Sequence, residues 1–184
     1  MNIDEQLFLI INNLAGSNGA VDWFFIFCAR YLILVLLAFL IIFILAYNKK
    51  SKKTYDLILA WNAVLGIILG LVFNYFLSLI FDRMRPFDAG LGTNIYGEAI
   101  TTGSFPSEHT MIAFAIAASI YLVHKKSGLV AFAFAFLVGF SRIYVGVHYP
   151  LDIIVGAFVG VGMAYLAAKV VTPKFLEIKK KKKL

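Results

Sequence analysis

The sequence is poor in charge, proline and cysteine. Only 15% of its 184 residues are charged, against about 25% in an average soluble domain, which argues against an ordinary soluble enzyme. It has four prolines and no glycine- or serine-rich linker, so we expect one domain over residues 1–184. The single cysteine, Cys28, excludes an internal disulfide framework and a cysteine-ligated metal cluster.

Long apolar stretches take the place of the missing charge, and 61% of the residues are hydrophobic. A helix rises about 1.5 Å per residue, so roughly 20 residues cross the ~30 Å hydrocarbon core of a membrane. Five stretches approach that length, at about 24–47, 55–81, 108–123, 128–147 and 151–171. The third is the shortest and can span only if its helix starts near Pro106. The pattern predicts an all-α, polytopic transmembrane bundle of about five spans.

The lysines are grouped between these stretches, at 49–53, at 125–126 and from 169 onward. A net charge of +7 spread over one surface would suggest nucleic acid, but this grouping indicates cytoplasmic loops instead. We therefore expect a bilayer and no nucleic acid as partner. Five alternating crossings put the lysines and a basic tail, residues 172–184, in the cytoplasm. The N-terminus, the loop 82–107 and the turn near 147–150 then lie outside the cell membrane.

Two further segments have a predicted place. Apolar residues recur at helical spacing before Gly16, with Asp4 and Glu5 where a signal peptide would be basic, so residues 1–16 predict an interfacial helix. Small residues lie four apart at Gly66 and Gly70, and again at Gly156 and Gly160. These pairs indicate either a dimer face or, preferably, close packing inside one bundle. The oligomeric state stays open.

Polar groups are costly at membrane depth and are usually functional there. On the predicted topology one set of them falls at the outer end of the bundle: Arg83, Arg85, Ser104, Ser107, His109, Ser141, Arg142, His148 and Asp152. Two histidines, three arginines and a carboxylate on one face suit an anion such as phosphate. His124 falls at the inner end beside two lysines, where we expect an interfacial residue.

Local spacings sharpen this prediction. Ser107 follows Pro106 at the start of a helix, where free backbone N–H groups form an anion site. Asp152 lies four residues after His148, close enough for its carboxylate to accept a hydrogen bond from the imidazole. The guanidinium groups of Arg85 and Arg142 can bind phosphate oxygens in pairs.

Three motifs carry a family resemblance. Arg85-Pro86, then Pro106-Ser107-Glu108-His109, then Ser141-Arg142 with His148 and Asp152 resemble K-x6-R-P, P-S-G-H and S-R-x5-H-x3-D, the signatures of the type 2 phosphatidic acid phosphatase superfamily. The third is matched completely. The resemblance covers about residues 55–171. The short N-terminal segment and the five-span layout further resemble the bacitracin-resistance type of undecaprenyl pyrophosphate phosphatase.

Two positions depart from the signatures. Ser78 stands where the first signature has lysine, and we expect Arg83 to supply the missing cation. Glu108 replaces the glycine of the second signature. Because an acid beside a phosphate would repel it, we expect Glu108 to turn aside or to pair with an arginine. An acid at the position of Glu108 is also typical of the undecaprenyl branch of this family.

The resemblance implies hydrolysis of a phosphate ester without metal or other cofactor. His148 would attack phosphorus and form a phosphohistidine, with Asp152 orienting the ring. His109 would protonate the leaving oxygen and then activate water. The remaining predicted contacts to phosphate are made by Arg85, Ser107, Arg142, Glu108 and Arg83.

The favoured substrate is undecaprenyl pyrophosphate, cut to the monophosphate to recycle the carrier lipid of cell-wall synthesis. Phosphatidylglycerophosphate, phosphatidic acid and the lipid A phosphates are alternatives within the same class. An anion or lipid transporter is a second class, although no repeated halves are visible. A catalytically silent relative is a third, because the signature lysine is missing.

Overall fold

The structure is a computed structural model that describes residues 1–48, 54–97 and 102–181. In these ranges all regular secondary structure is helical, which confirms the predicted all-α class. The six helices are α1 (Ile3–Asn12), α2 (Gly19–Asn48), α3 (Thr54–Phe81), α4 (Glu108–Val123), α5 (Lys125–Tyr144) and α6 (Pro150–Lys181). Lys49, Lys50, Lys52 and Lys53, and the last lysines at 182–183, lie outside the described residues.

Four helices of the described chain are long and apolar enough to cross a membrane, and they include the segments Gly19–Leu45, Ile58–Phe81, Lys125–Tyr144 and Pro150–Pro173. The remaining predicted span, the third in chain order, is α4. It has the predicted bounds but only 16 residues, or about 24 Å. It packs against α2, α3, α5 and α6. Because protein surrounds it, this short helix is buried within the bundle and needs little contact with lipid.

Several predicted boundaries differ from the observed ones. Helix α2 begins at Gly19, five residues before the predicted start near 24, and α5 ends at Tyr144, three residues before the predicted end near 147. The last span was predicted to end near residue 171, yet α6 continues through Pro173 to Lys181. The predicted tail over 172–184 is therefore helical as far as it is described. Helix α5 begins at Lys125, three residues before the predicted boundary. The His124 side chain caps this helix by accepting the Ser127 N–H at 3.2 Å.

Helix α1 lies within the predicted interfacial segment and is amphipathic. Asn2 and Glu5 form a capping box at its start. Ile3, Leu7, Ile10 and Leu14 are exposed on one side, as a membrane interface requires. Phe8 and Asn12 are buried on the other side, against the bundle.

The glycine pairs pack inside the bundle. A methyl group added at Gly66 would lie 3.0 Å from the Ala164 backbone, and one at Gly156 would lie 2.7 Å from the Ser107 carbonyl oxygen. At Gly160 the Met111 backbone is closer still. These contacts join α3 to α6 and α6 to α4, so the glycines allow close helix approach within one chain.

The alternating helices bring α1, the loop 82–107 and the turn between α5 and α6 to the same end of the bundle. The Asn12 amide holds them together: its Nδ2 donates to the carbonyl oxygens of Thr93 at 2.9 Å and Tyr144 at 2.8 Å. Its Oδ1 accepts the Thr93 N–H at 2.7 Å. Each of these bonds joins segments that are distant in sequence, which fixes the part of the loop around Thr93 over the helix ends.

Candidate active site

A cavity of about 640 Å³ opens at this end of the bundle. His109, His148, Arg85 and Arg142 line it, so the structure brings together the two predicted histidines and two of the three predicted arginines. Tyr96 and the α3 residues Asn74 and Ser78 contribute to the wall, as do Asp82, Thr102 and Glu108.

His148 lies in the turn before α6 and is only 3% exposed. Its Nδ1 is 2.8 Å from the Ser104 carbonyl oxygen, which can only accept, so Nδ1 carries the ring proton. Its Nε2 is 3.2 Å from Arg85 Nη1, which can only donate. Burial, and then the charges of Arg142 and Arg85, keep the pKa of His148 well below its ordinary value. The ring is therefore neutral, and its Nε2 lone pair faces Arg85, which lines the same cavity.

Arg85 is buried and is held by neutral groups. Its Nε donates to the Thr102 carbonyl oxygen at 2.9 Å, and its Nη1 donates to the Val147 carbonyl oxygen at 2.9 Å. Burial, and then the charge of Arg142, lower the pKa of Arg85 to about 10. The group still carries its charge at neutral pH, and none of these hydrogen-bond partners neutralises it.

Arg142 is 2% exposed and projects from the last turn of α5. Its Nη1 donates to the Ala29 carbonyl oxygen at 3.2 Å, and its guanidinium carbon lies 4.8 Å from the centre of the Tyr96 ring. Arg30 contacts the same ring at 4.9 Å and also bonds to the Tyr96 carbonyl oxygen. Tyr96, in the loop after α3, thus connects α2 and α5 at the cavity wall.

His109 and Glu108 begin α4, and both line the cavity. His109 is half-buried, whereas the Glu108 side chain is exposed. Among the described residues, Glu108 forms no ion pair with an arginine, so the expected pairing is not present.

Ser107 is fully buried and is not among the residues that line the cavity. Its hydroxyl accepts from Thr110 Oγ1 at 3.1 Å, and its N–H donates to the Asp152 carbonyl oxygen at 3.1 Å. Ser107 therefore does not face the cavity as the predicted phosphate contact requires. Its polar groups join α4 to α6 instead.

Arg83 is also placed away from the cavity, and its guanidinium lies between two carboxylates. Its Nη1 is 2.8 Å from Asp152 Oδ1, and its Nη2 is 2.6 Å from Asp4 Oδ2. Burial lowers the pKa of Arg83, but the two carboxylates outweigh burial and raise it overall. The expectation that Arg83 replaces the missing lysine is not met. Ser78 does reach the cavity, and its hydroxyl donates to the Tyr75 carbonyl oxygen at 2.8 Å.

Asp152 lies beside the histidine but does not accept the predicted hydrogen bond. Its Oδ2 is 3.5 Å from His148 Nδ1, and the Nδ1 proton goes to the Ser104 carbonyl oxygen instead. The same Oδ2 accepts the Tyr149 N–H at 2.9 Å. Asp152 therefore fixes the backbone next to His148 and places a negative charge near the ring.

The groups missed by the sequence motifs are mainly backbone atoms. The carbonyl oxygens of Ser104, Thr102 and Val147 orient the histidine and Arg85. Every residue has a carbonyl group, so no residue type could have indicated these contacts. Asp4 was assigned only to the interfacial helix, where an acid in the first turn has an ordinary explanation in the helix dipole.

Comparison with known proteins agrees with this arrangement. Residues 59–175 match the PAP2 superfamily. The chain is 32% identical to the undecaprenyl-diphosphatase BcrC of Bacillus subtilis, over 89% of this chain and 82% of that protein. It is also 32% identical to a protein of Bacillus licheniformis named bacitracin transport permease protein BcrC, over 88% of this chain and 76% of that one.

A solved structure shows the same fold. The crystal structure of Aquifex aeolicus LpxE superposes with a TM-score of 0.71 at 32% identity, covering 92% of this chain and 96% of that one. The match to the superfamily spans α3 to α6, the helices that bring both histidines and both cavity arginines together. On the motifs, the fold and these relatives, the chain belongs to the PAP2 superfamily and is a multi-pass membrane phosphatase.

Proposed function

We propose that the chain hydrolyses undecaprenyl pyrophosphate to undecaprenyl monophosphate and inorganic phosphate at the outer face of the cell membrane. The observation that carries the proposal is the neutral His148, whose Nε2 faces Arg85, an arginine that bonds only to neutral groups among the described residues. A nucleophile next to an uncompensated cation suits a phosphoryl group. The undecaprenyl-diphosphatase name of the Bacillus subtilis relative supports the choice of lipid.

The reaction has two steps. In the first, the Nε2 lone pair of His148 attacks the terminal phosphorus, and the bond from that phosphorus to the bridging oxygen breaks. The monophosphate leaves with the electron pair and takes a proton from His109. In the second, water attacks the phosphohistidine while His109 accepts its proton. The N–P bond breaks, its electrons return to Nε2, and inorganic phosphate leaves.

Arg85 and Arg142 bind the non-bridging phosphoryl oxygens in this mechanism. Both are fixed by hydrogen bonds before substrate arrives, so little reorganisation is needed as charge develops in the transition state. The Ser104 carbonyl keeps the proton on Nδ1. When the ring becomes positive in the phosphohistidine, that carbonyl and the nearby Asp152 carboxylate stabilise it.

The direction of the site follows from the lysines. Lys125 and Lys126 begin α5, at the opposite end of the bundle from the cavity. Lysine-rich ends stay in the cytoplasm, so the cavity opens to the outside, where the spent carrier lipid is left. Phosphatidylglycerophosphate, phosphatidic acid and the lipid A phosphates remain the alternative substrates of the same mechanism.

The test is phosphate release by detergent-purified protein with EDTA present, using undecaprenyl pyrophosphate and phosphatidylglycerophosphate side by side. We expect faster release from the pyrophosphate, survival in EDTA and loss of release in His148→Ala. His124→Ala is the matched control, because that histidine caps α5 at the far end of α4. Release that persists in His148→Ala contradicts the mechanism, and faster release from phosphatidylglycerophosphate contradicts the proposed substrate.

A further inference from the structure

We propose that Asp4 of the N-terminal helix is a positioning residue for the nucleophile, acting through Arg83 and Asp152. The inference rests on the proposed function, since it assigns a role in the same site. It extends the machinery to a helix that precedes residues 59–175, the part of the chain that matches the superfamily.

Asp4 joins three parts of the fold with one carboxylate. Its Oδ2 accepts from Arg83 Nη2 at 2.6 Å, and its Oδ1 accepts the Leu151 N–H at 2.8 Å. Arg83 lies in the loop after α3, and Leu151 lies in the first turn of α6. The Asp4 and Arg83 side chains are 17% and 23% exposed, so solvent screens the pair only partly.

Arg83 continues this connection to the histidine. Its other terminal nitrogen, Nη1, lies 2.8 Å from Oδ1 of Asp152, a carboxylate that is wholly buried. Asp152 Oδ2 then lies 3.5 Å from His148 Nδ1 and accepts the Tyr149 N–H. The Arg83 guanidinium carbon also lies 3.8 Å from the centre of the Tyr149 ring. The arginine thus contacts both the carboxylate beside the nucleophile and the residue that follows it.

Asp4 is needed because it holds one terminal nitrogen of Arg83 while Asp152 binds the other. A buried carboxylate such as Asp152 requires a well-placed cation, and a long arginine side chain held at one end only can adopt other rotamers. The Asp4 carboxylate selects the rotamer in which Nη1 meets Asp152. A displacement of about 1 Å in the reacting group can reduce turnover about 10²-fold, so the fit of this arginine affects the position of His148.

Other contacts hold α1 in place without Asp4. Asn12 bonds to Thr93 and Tyr144 at the far end of the helix, and the Phe8 ring lies 5.5 Å from the Tyr149 ring. Removing the Asp4 charge should therefore leave α1 bound to the bundle. This separates a role in positioning from a role in holding the helix.

The experiment compares Asp4→Asn with Glu5→Gln in full-length protein in detergent. Both substitutions remove one carboxylate from the first turn of α1, but Glu5 bonds to Asn2 and has no contact with Arg83. We expect Asp4→Asn to lower kcat by about 10- to 100-fold, with KM and Tm close to those of Glu5→Gln. Asp4→Glu should recover part of the lost kcat. Arg83→Gln should lose at least as much, and adding Asp4→Asn to it should cause little further loss.

A second readout does not depend on turnover. NMR of protein labelled with ¹⁵N-histidine reports the Nδ1–H of His148, and the His148→Ala spectrum assigns its signal. We expect that signal to shift in Asp4→Asn and to stay in place in Glu5→Gln. Equal kcat and equal spectra in the two variants overturn the inference, as does a loss in Asp4→Asn that appears only in KM or Tm. A wild-type protein that releases no phosphate contradicts the proposed function, and the spectra then decide the inference alone.

Discussion

Arg83 and Arg85 are two residues apart, and the structure gives them opposite surroundings. Arg83 lies between the carboxylates of Asp4 and Asp152, at 2.6 and 2.8 Å. Arg85 is held by carbonyl oxygens of Thr102 and Val147 and lines the cavity. Both guanidinium groups are fixed in place, but only the second keeps its charge available for another anion.

On the proposed function, the difference separates an arginine with a structural role from one that can bind substrate. An arginine paired with carboxylates contributes to stability and position, because its charge is already neutralised. An arginine held by carbonyl groups is ordered without being neutralised. Its burial lowers its pKa to about 10, and a phosphoryl group that enters the cavity relieves this cost. The hydrogen-bond partners of an arginine, more than its motif, therefore indicate its role.

A large loss of activity is expected when Arg85, the cavity arginine of this comparison, is removed. Arg85→Gln should lower kcat/KM by about 10²- to 10³-fold, the usual cost of removing a fixed donor to developing charge. It should also weaken inhibition by vanadate, which mimics the five-coordinate phosphoryl group. Arg83→Gln is the paired variant, and it should weaken vanadate inhibition much less than Arg85→Gln does, because Arg83 is bonded to Asp4 and Asp152 and does not line the cavity. Equal weakening in both variants would contradict the distinction between the two arginines.

His109 sharpens the comparison from the same cavity. His109→Ala removes the proposed general acid, a function typically worth ~10²–10⁴-fold. A monophosphate ester should lose that whole factor, because its alkoxide is a poor leaving group. Undecaprenyl pyrophosphate should lose less, because phosphate leaves without help more easily. Rates on both substrates, normalised to the wild type, measure the difference, and equal losses would exclude this role.

The sequence motifs predicted which residues meet, but not how they pair. Spacing and topology indicated that His109, His148, Arg85 and Arg142 share one end of the bundle, and all four line the cavity. The membrane made this part predictable, because polar groups are costly inside the hydrocarbon core and therefore gather at the ends of the spans. The helix bounds were also close, apart from the earlier start of α2 at Gly19 and the extension of α6 through Pro173.

The pairings of Arg83, Ser107 and Asp152 could not be predicted in the same way. Arg83 meets Asp4 across 79 positions of sequence, a contact that depends on how α1 lies on the bundle. Ser107 follows the expected proline, yet its N–H bonds to the Asp152 carbonyl in α6. Both outcomes depend on helix packing, which no local spacing encodes.

A smaller effect should follow from adding a cation to the cavity. Ser78→Lys restores the residue type of the first signature in a wall that also contains Asp82 and Glu108. A partly exposed pair of this kind is worth about 0.2–1 kcal/mol, so kcat/KM should rise by a few-fold at most. Ser78→Met is the uncharged control of similar length. If Ser78→Lys lowers kcat/KM while Ser78→Met does not, the lysine pairs with the wall carboxylates and does not reach substrate.

The last expected effect concerns stability and not activity, and it follows from the positive charge that Arg85 and Arg142 leave around His148. Burial and these two charges hold the folded pKa of His148 well below the unfolded value of about 6.5. As pH falls below 6.5, the His148 ring binds a proton in the unfolded chain but stays neutral in the folded chain. The stability from the neutral ring is therefore present above pH 6.5 and is lost below it, by at most about 1.4 kcal/mol per pH unit.

Thermal unfolding in detergent between pH 5 and pH 8 should show a steeper acid-side loss of Tm for the wild type than for His148→Gln. The Arg85→Gln protein should lie between the two, because one of the two facing charges is gone. Identical pH dependence in all three proteins would mean that the cavity cations do not act on the histidine as the geometry implies.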